Sequence, residues 1–147
     1  MTVGGPESPG SRPRIVVGVD GSAQSERALE WATMQAQRTR AALEIVTAWV
    51  FPGALGYALT TTVDEVRRHA RALVDDSVSY VAGVAPDVPV HADAREQSPG
   101  PALVEASKGA DLLVVGSRGT GGFAELLVGS VGMYCARRAQ CSVMIVR

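Results

Sequence analysis

The sequence predicts an α/β fold: a five-stranded parallel sheet sandwiched between helices in three layers. Two observations carry this. Short runs at residues 14–20, which is β-branched and ends in an acid, and 111–116 carry charge only at their ends and are apolar between, as suits strands covered on both faces. Between such runs lie segments of helix length with apolar residues three and four apart, and crossovers of that length join parallel neighbours. The size agrees: 147 residues, 46% of them hydrophobic, fit one domain that buries about 70% of its unfolded surface without disulfide or metal.

The first 13 residues, rich in Gly, Pro and Ser, read as a disordered tail, leaving 14–147 as the domain. The first strand, 14–20, ends in Asp20; Gly21 breaks it and Ser22 is a good helix N-cap. Ala28, Leu29, Ala32 and Ala36 then recur on one helical face. Residues 43–50 form the second strand, and a loop with Pro52, Gly53 and Gly56 follows. Val63, Val66, Ala70, Leu73, Val74, Val78 and Val81 make a long amphipathic stripe closed by Gly83 and Pro86. On its outer face Asp64 precedes Arg68 by one helical turn, a favourable pair. Residues 88–94 alternate loosely and read as a third, less buried strand. Ser98-Pro99 is an N-cap with a first-turn proline, and Gly109 ends the helix it opens. The fourth strand, 111–116, runs into a Gly/Ser loop, and 123–128 can make a turn of helix. Gly129-Ser130 opens the last helix, through Arg138, and 141–146 is the terminal strand.

Composition excludes several classes. A formal net charge of −1 provides no basic field for sequence-independent nucleic-acid binding. Lys108 is the single lysine, which argues against a phosphate-binding or reactive lysine. The apolar stretch at 41–59 is interrupted by Glu44, Pro52, Gly53 and Gly56, so it reads as a strand and loop rather than a membrane span. With no apolar signal core, the expected compartment is the cytoplasm. Cys135 and Cys141 read as a reduced pair, a disulfide being the alternative. His69, on the arginine-rich face of the long helix, and His91, on the third strand, stand apart from both cysteines, so no metal spacing exists. Arginine greatly outnumbers lysine and alanine is abundant, which points to a GC-rich bacterial genome.

Ligands of open parallel sheets sit at the carboxyl ends of the strands. Asp20 lies at one such end and the loop Gly116-Ser117-Arg118-Gly119-Thr120-Gly121-Gly122 at another. The glycines allow close backbone approach and inward N–H groups, an anion nest. Ten residues past Gly119 come Gly129 and Ser130, where free helix N–H groups favour a phosphate and Ser130 can add a hydroxyl. Gly119-Thr120-Gly121-Gly122-Phe123-Ala124 formally fits a dinucleotide fingerprint, but it follows the fourth strand and lacks the later acid. A P-loop fails because Gly122-Phe123 stands where Lys and Ser/Thr belong. A plain surface loop remains the alternative.

Gly116-x2-Gly119-x9-Gly129-Ser130 resembles the G-x2-G-x9-G-[S/T] signature of ATP-binding universal stress proteins. Ile15-Val16-Val17-Gly18-Val19-Asp20-Gly21-Ser22, the approach to Gly119 from Ala110, and the terminal Cys141-Ser142-Val143-Met144-Ile145-Val146-Arg147 are similar as well, so the likeness spans 14–147. The resemblance implies an adenine nucleotide α-hydrolase-like, Rossmann-type sandwich, commonly homodimeric, holding ATP, with or without Mg2+, at the strand ends. It places Gly18 and Asp20 by the adenosine, Ala48 and Val115 beside adenine, and Gly116, Arg118, Gly119, Gly129, Ser130 and Val131 around ribose and phosphates. Two departures stand out. Gly132 replaces a frequent serine, a missing hydroxyl worth about 1 kcal/mol, and Ser142 replaces a common proline.

No Ser/His/Asp or Cys/His set can be assembled. Asp20 is the one plausible metal-binding carboxylate at the site, although an acid at a strand end more commonly caps a loop. Binding with at most slow hydrolysis is expected, in a nucleotide-responsive regulator of a stress response. The alternatives are a dimeric interaction module that binds no ATP, a cyclic AMP binder, or a true ATP-using enzyme. The short apolar terminal strand, if it lies at the sheet edge, invites pairing with a second copy across a two-fold axis.

Overall fold

The computed structural model describes residues 11–51, 61–118 and 128–147. Along them run β1 (Arg14–Gly18), α1 (Ala23–Thr39), β2 (Ala42–Trp49), α2 (Val63–Val84), β3 (Val90–Glu96), α3 (Pro99–Ser107), β4 (Leu112–Gly116), α4 (Ser130–Arg138) and β5 (Ser142–Val146). The five strands pair in parallel in the order β3-β2-β1-β4-β5. The expected three-layer α/β architecture is therefore the one observed. The expected loop around Pro52, Gly53 and Gly56 and the first ten residues of the tail lie outside the described residues, as does all but Val128 of the expected helical turn.

Strand alternation builds two cores. Ile15, Val17, Leu43, Ile45 and Val114 point to one face, where Ala28, Leu29, Ala32 and Ala36 of α1 and Val81 of α2 cover them. Val16, Val46, Leu113 and Val115 point to the other, under Ala102, Leu103 and Ala106 of α3 and Cys135 of α4. Glu44 of the second layer, 8% exposed, is paired with Arg14 of β1 and Arg95 of β3.

Helix starts follow local chemistry. Ser22 Oγ accepts the Ser25 amide at 3.2 Å, opening α1. At α2, Thr62 Oγ1 accepts the Glu65 amide while the Glu65 carboxylate accepts the Thr62 amide at 2.7 Å, a capping box the apolar stripe alone does not reveal. Accepting the Thr62 amide, and secondarily the Thr61 hydroxyl, holds the Glu65 carboxyl below its ordinary range.

Four local expectations are corrected. Asp64 pairs with Arg67 at 2.9 Å, one residue nearer than Arg68, whose Nε instead donates to the Asp64 carbonyl. α2 continues through Gly83 and stops at the Ala85 cap before Pro86, which cannot continue a helix. β3 starts at Val90 rather than Val88: the Pro89 carbonyl accepts from Leu43, but proline has no N–H to extend the ladder. Ser98 sits at the N-cap of α3 but makes no side-chain cap bond.

The chain lays β1, β2 and β3 outward on one side, then crosses over to add β4 and β5 on the other. That reversal lies between β1 and β4, the place where open parallel sheets leave a crevice. β3 and β5 are the two sheet edges, and Met144 of β5 is 36% exposed. No helix among the described residues is long and apolar enough to cross a membrane.

Candidate functional site

A cleft of about 530 Å³ opens at the carboxyl ends of β1, β2 and β4, within the size range of small-molecule sites. Its walls come from both helical layers: Val66, His69, Ala70 and Leu73 of α2 on one side, Pro99 and Leu103 of α3 and the start of α4 on the other. Gly18, Asp20, Ala48, Val115, Gly116, Arg118, Gly129, Ser130 and Val131 all line it. Gly119, the remaining expected site residue, lies outside the described residues.

The β1 end is a tight turn. Gly21 has φ +85°, a left-handed conformation that glycine adopts without strain. Asp20 Oδ1 accepts the Ser22 amide at 2.9 Å, and Ser25 Oγ both accepts the Asp20 amide at 3.2 Å and donates to the Ser22 carbonyl at 3.0 Å. One carboxylate oxygen of Asp20 thus holds the turn that starts α1, the loop-capping role considered above.

At the β4 end, Gly116 is needed for packing as well as for any ligand. A Cβ there would lie 2.8 Å from the Gln24 backbone carbon and 3.0 Å from its carbonyl oxygen, atoms that cannot rotate away. Gly116→Ala is expected to push α1 off β4 and lower stability by about 1–3 kcal/mol in a urea titration. A loss under about 0.5 kcal/mol, the range of ordinary surface substitutions, would show that α1 shifts freely.

Beyond Gly116 the backbone is tied to the next two elements. The Ser117 amide donates to the Val146 carbonyl at 2.6 Å, and the Gly129 amide to the Ser117 carbonyl at 2.5 Å. The Gly129 N–H, counted as a phosphate donor from the spacing alone, is therefore spent within the protein. α4 starts with Gly129 at the N-cap and no side-chain cap bond, so the amides of Ser130, Val131 and Gly132 have no intrahelical partner at the cleft. Gly132 is closely packed: a Cβ there would meet the Val128 side-chain tip at 3.0 Å, so Val128 would have to shift, with Ile145 Cδ1 in ordinary contact at 3.9 Å.

Several lining residues were not legible beforehand. His69 is exposed, as its arginine-rich face predicts, yet it stands at the cleft wall. Trp49 lines the β2 end with Arg67 stacked 5.6 Å from its ring centre. Thr47, 2% exposed, also lines the cleft, and its Oγ1 has no hydrogen-bond partner. Arg118 brings the one guanidinium among the described lining residues.

Cys135 and Cys141 are free thiols; burial pushes Cys135 to about 11 and also raises Cys141, so neither is a ready thiolate at neutral pH. Among the described residues no three His, Cys, Asp or Glu side chains converge as a metal site. The arrangement suits non-covalent binding of an elongated ligand with one anionic end: apolar walls at β2 and α2, open amides and Arg118 at β4 and α4.

Comparison with known proteins adds an independent line. The profile of the universal stress protein family matches residues 12–147. A universal stress protein of Mycolicibacterium smegmatis is 36% identical over 137 residues, covering 93% of this chain and 46% of its own length. The chain spans about half the length of that curated relative. Among solved structures, the universal stress protein UspA of Lactobacillus plantarum is similar with TM-score 0.73 and 25% identity over 94% of this chain and all of its own. A universal stress protein crystallised with cAMP is similar with TM-score 0.71 and 33% identity, over 94% of this chain and 98% of its own.

Proposed function

We propose that this chain, which belongs to the universal stress protein family, binds ATP in the cleft and acts as a nucleotide-responsive regulator. The observation that carries the reading is the α4 N-terminus: three amides and a helix dipole directed into a cleft whose other end is apolar. Gly18, Asp20, Ala48 and Val115 take the adenosine end. Gly116, Arg118, Gly119, Ser130 and Val131 take ribose and phosphates, and Gly129 ties the head of α4 to the Ser117 carbonyl. Asp20 is the lone acid among the described lining residues, so a magnesium ion arriving with ATP is held chiefly by phosphate and water.

Regulation follows from the same backbone. Ser117 bonds the last residue of β5, an edge strand, and Gly129 at the head of α4. A ligand ordering the 116–118 backbone acts on that edge, where a second copy pairs in the proposed homodimer. A cyclic AMP-binding module is the second reading, favoured by the 33% identical relative solved with that ligand.

Isothermal titration of nucleotide-free protein with ATP and magnesium, and separately with cyclic AMP, tests both. Saturable micromolar binding of ATP, tighter than of cyclic AMP, is the expected result. The reverse order supports the second reading, and no heat from a protein that melts cooperatively leaves a module that reads no nucleotide.

A further inference from the structure

We infer that the Thr47 hydroxyl hydrogen-bonds the edge of the bound base and sets the base preference of the cleft; this rests on the nucleotide reading above. Thr47 shares the face of β2 with Leu43 and Ile45, under α1 and α2, yet it sits where that face reaches the cleft. It is 2% exposed, and its Oγ1 has no partner among the described residues. The other small buried hydroxyls of the same layer are satisfied: Thr33 donates to the Leu29 carbonyl at 2.7 Å and Ser77 to the Leu73 carbonyl at 2.7 Å. Burying a hydroxyl without a partner is unfavourable, and such groups are rare in folded proteins.

Position decides which part of the ligand it meets. The anion-binding amides belong to α4 and the end of β4, whereas Thr47 is on β2, with β1 between them. Two strand spacings put about 10 Å between these ends. A nucleotide with its phosphates on α4 therefore brings its base, not its sugar, to β2. There the walls are Trp49, His69, Ala70 and Leu73; His69 is exposed to solvent, whereas the Thr47 hydroxyl is buried with an open valence for a ring nitrogen or exocyclic amine. Backbone contacts beside Ala48 can hold a flat ring but leave the Thr47 hydroxyl without a partner.

The test compares AMP and ribose 5-phosphate, which lacks the base, on wild type, Thr47→Val and Thr47→Ser. Valine keeps the branched shape and removes the orphan, so the ligand-free variant should melt about 3 °C higher. AMP affinity should fall five- to tenfold in Thr47→Val, ribose 5-phosphate binding should not change, and Thr47→Ser should restore AMP to within about twofold of wild type. Higher stability with weaker binding is a combination that a merely structural hydroxyl does not produce. Unchanged AMP affinity in a folded Thr47→Val overturns the inference, and so does an equal loss for both ligands. Wild-type protein that binds ribose 5-phosphate but not AMP more tightly overturns it too. Wild type that binds neither removes the nucleotide reading itself.

Discussion

Glu44→Ala is expected to lower the unfolding free energy by about 2–3 kcal/mol and the melting temperature by about 6–9 °C. Glu44 is a carboxylate in the middle of β2, 8% exposed, in a strand otherwise made of core side chains. It is stable there because guanidinium groups from both neighbouring strands meet it: Arg14 on one oxygen and Arg95 at 3.2 Å on the other. Those arginines also serve α3, Arg14 donating to the Ala106 and Lys108 carbonyls at 3.1 and 2.7 Å, and Arg95 to Ala102 at 3.4 Å. Removing the carboxylate leaves two cations facing each other across a strand. Breaking a fully buried pair costs about 3–5 kcal/mol; here the arginine side chains are 31% and 21% exposed, and Arg95 keeps Asp93 at 2.8 Å, so solvent screening brings the loss down to about 2–3 kcal/mol. Glu44→Gln, which keeps the volume and one acceptor, should lose about half as much. A loss under about 0.5 kcal/mol for alanine in a urea titration would mean that the arginines rehydrate as surface groups do.

That triad also marks where reading along the chain stops being informative. Each element is written locally: β-branched runs for β1, β2 and β4, Ser22 before the stripe of α1, Pro99 in the first turn of α3. Short-range chemistry decides them, so a linear reading finds them. Glu44 meets Arg14 across 30 residues and Arg95 across 51, and nothing in the local pattern distinguishes it from a solvent-facing strand residue. Gly116 shows the same limit. Its place before a glycine-rich loop points to a ligand, whereas the contact that forbids a side chain is with Gln24, on a helix that follows a different strand. The cleft was legible on its β4 and α4 side, where glycines and a helix start stand close in sequence. Its α2 side was not, because Ala70 and Leu73 belong to a stripe that reads as ordinary core and reach the site only through the packing of α2 on β2.

Ser130→Asp should weaken ATP binding about thirtyfold while leaving the fold intact, a separation of function from stability that truncating the helix start would not give. Ser130 is the exposed first residue of α4, next to an N-cap that makes no side-chain bond. A carboxylate in the first turn interacts favourably with the helix dipole, by about 0.3–1 kcal/mol, so the melting temperature should hold or rise slightly. The same charge then occupies the space proposed for phosphate. Two unit charges about 4 Å apart at an effective dielectric near 20 repel by about 4 kcal/mol; screening at an exposed position reduces this to about 2 kcal/mol, which is about thirtyfold in affinity. Repulsion scales with ligand charge, so the loss should be largest for ATP, smaller for cyclic AMP and negligible for adenosine, and it should shrink as salt is raised. This ordering separates a phosphate seat on α4 from a general distortion, which would weaken all three alike. Equal ATP affinity in wild type and Ser130→Asp would place the phosphates away from α4. The helix start would then be left as the cap of a packing element, with Gly116 and Gly132 serving close approach of backbone and side chains rather than a ligand.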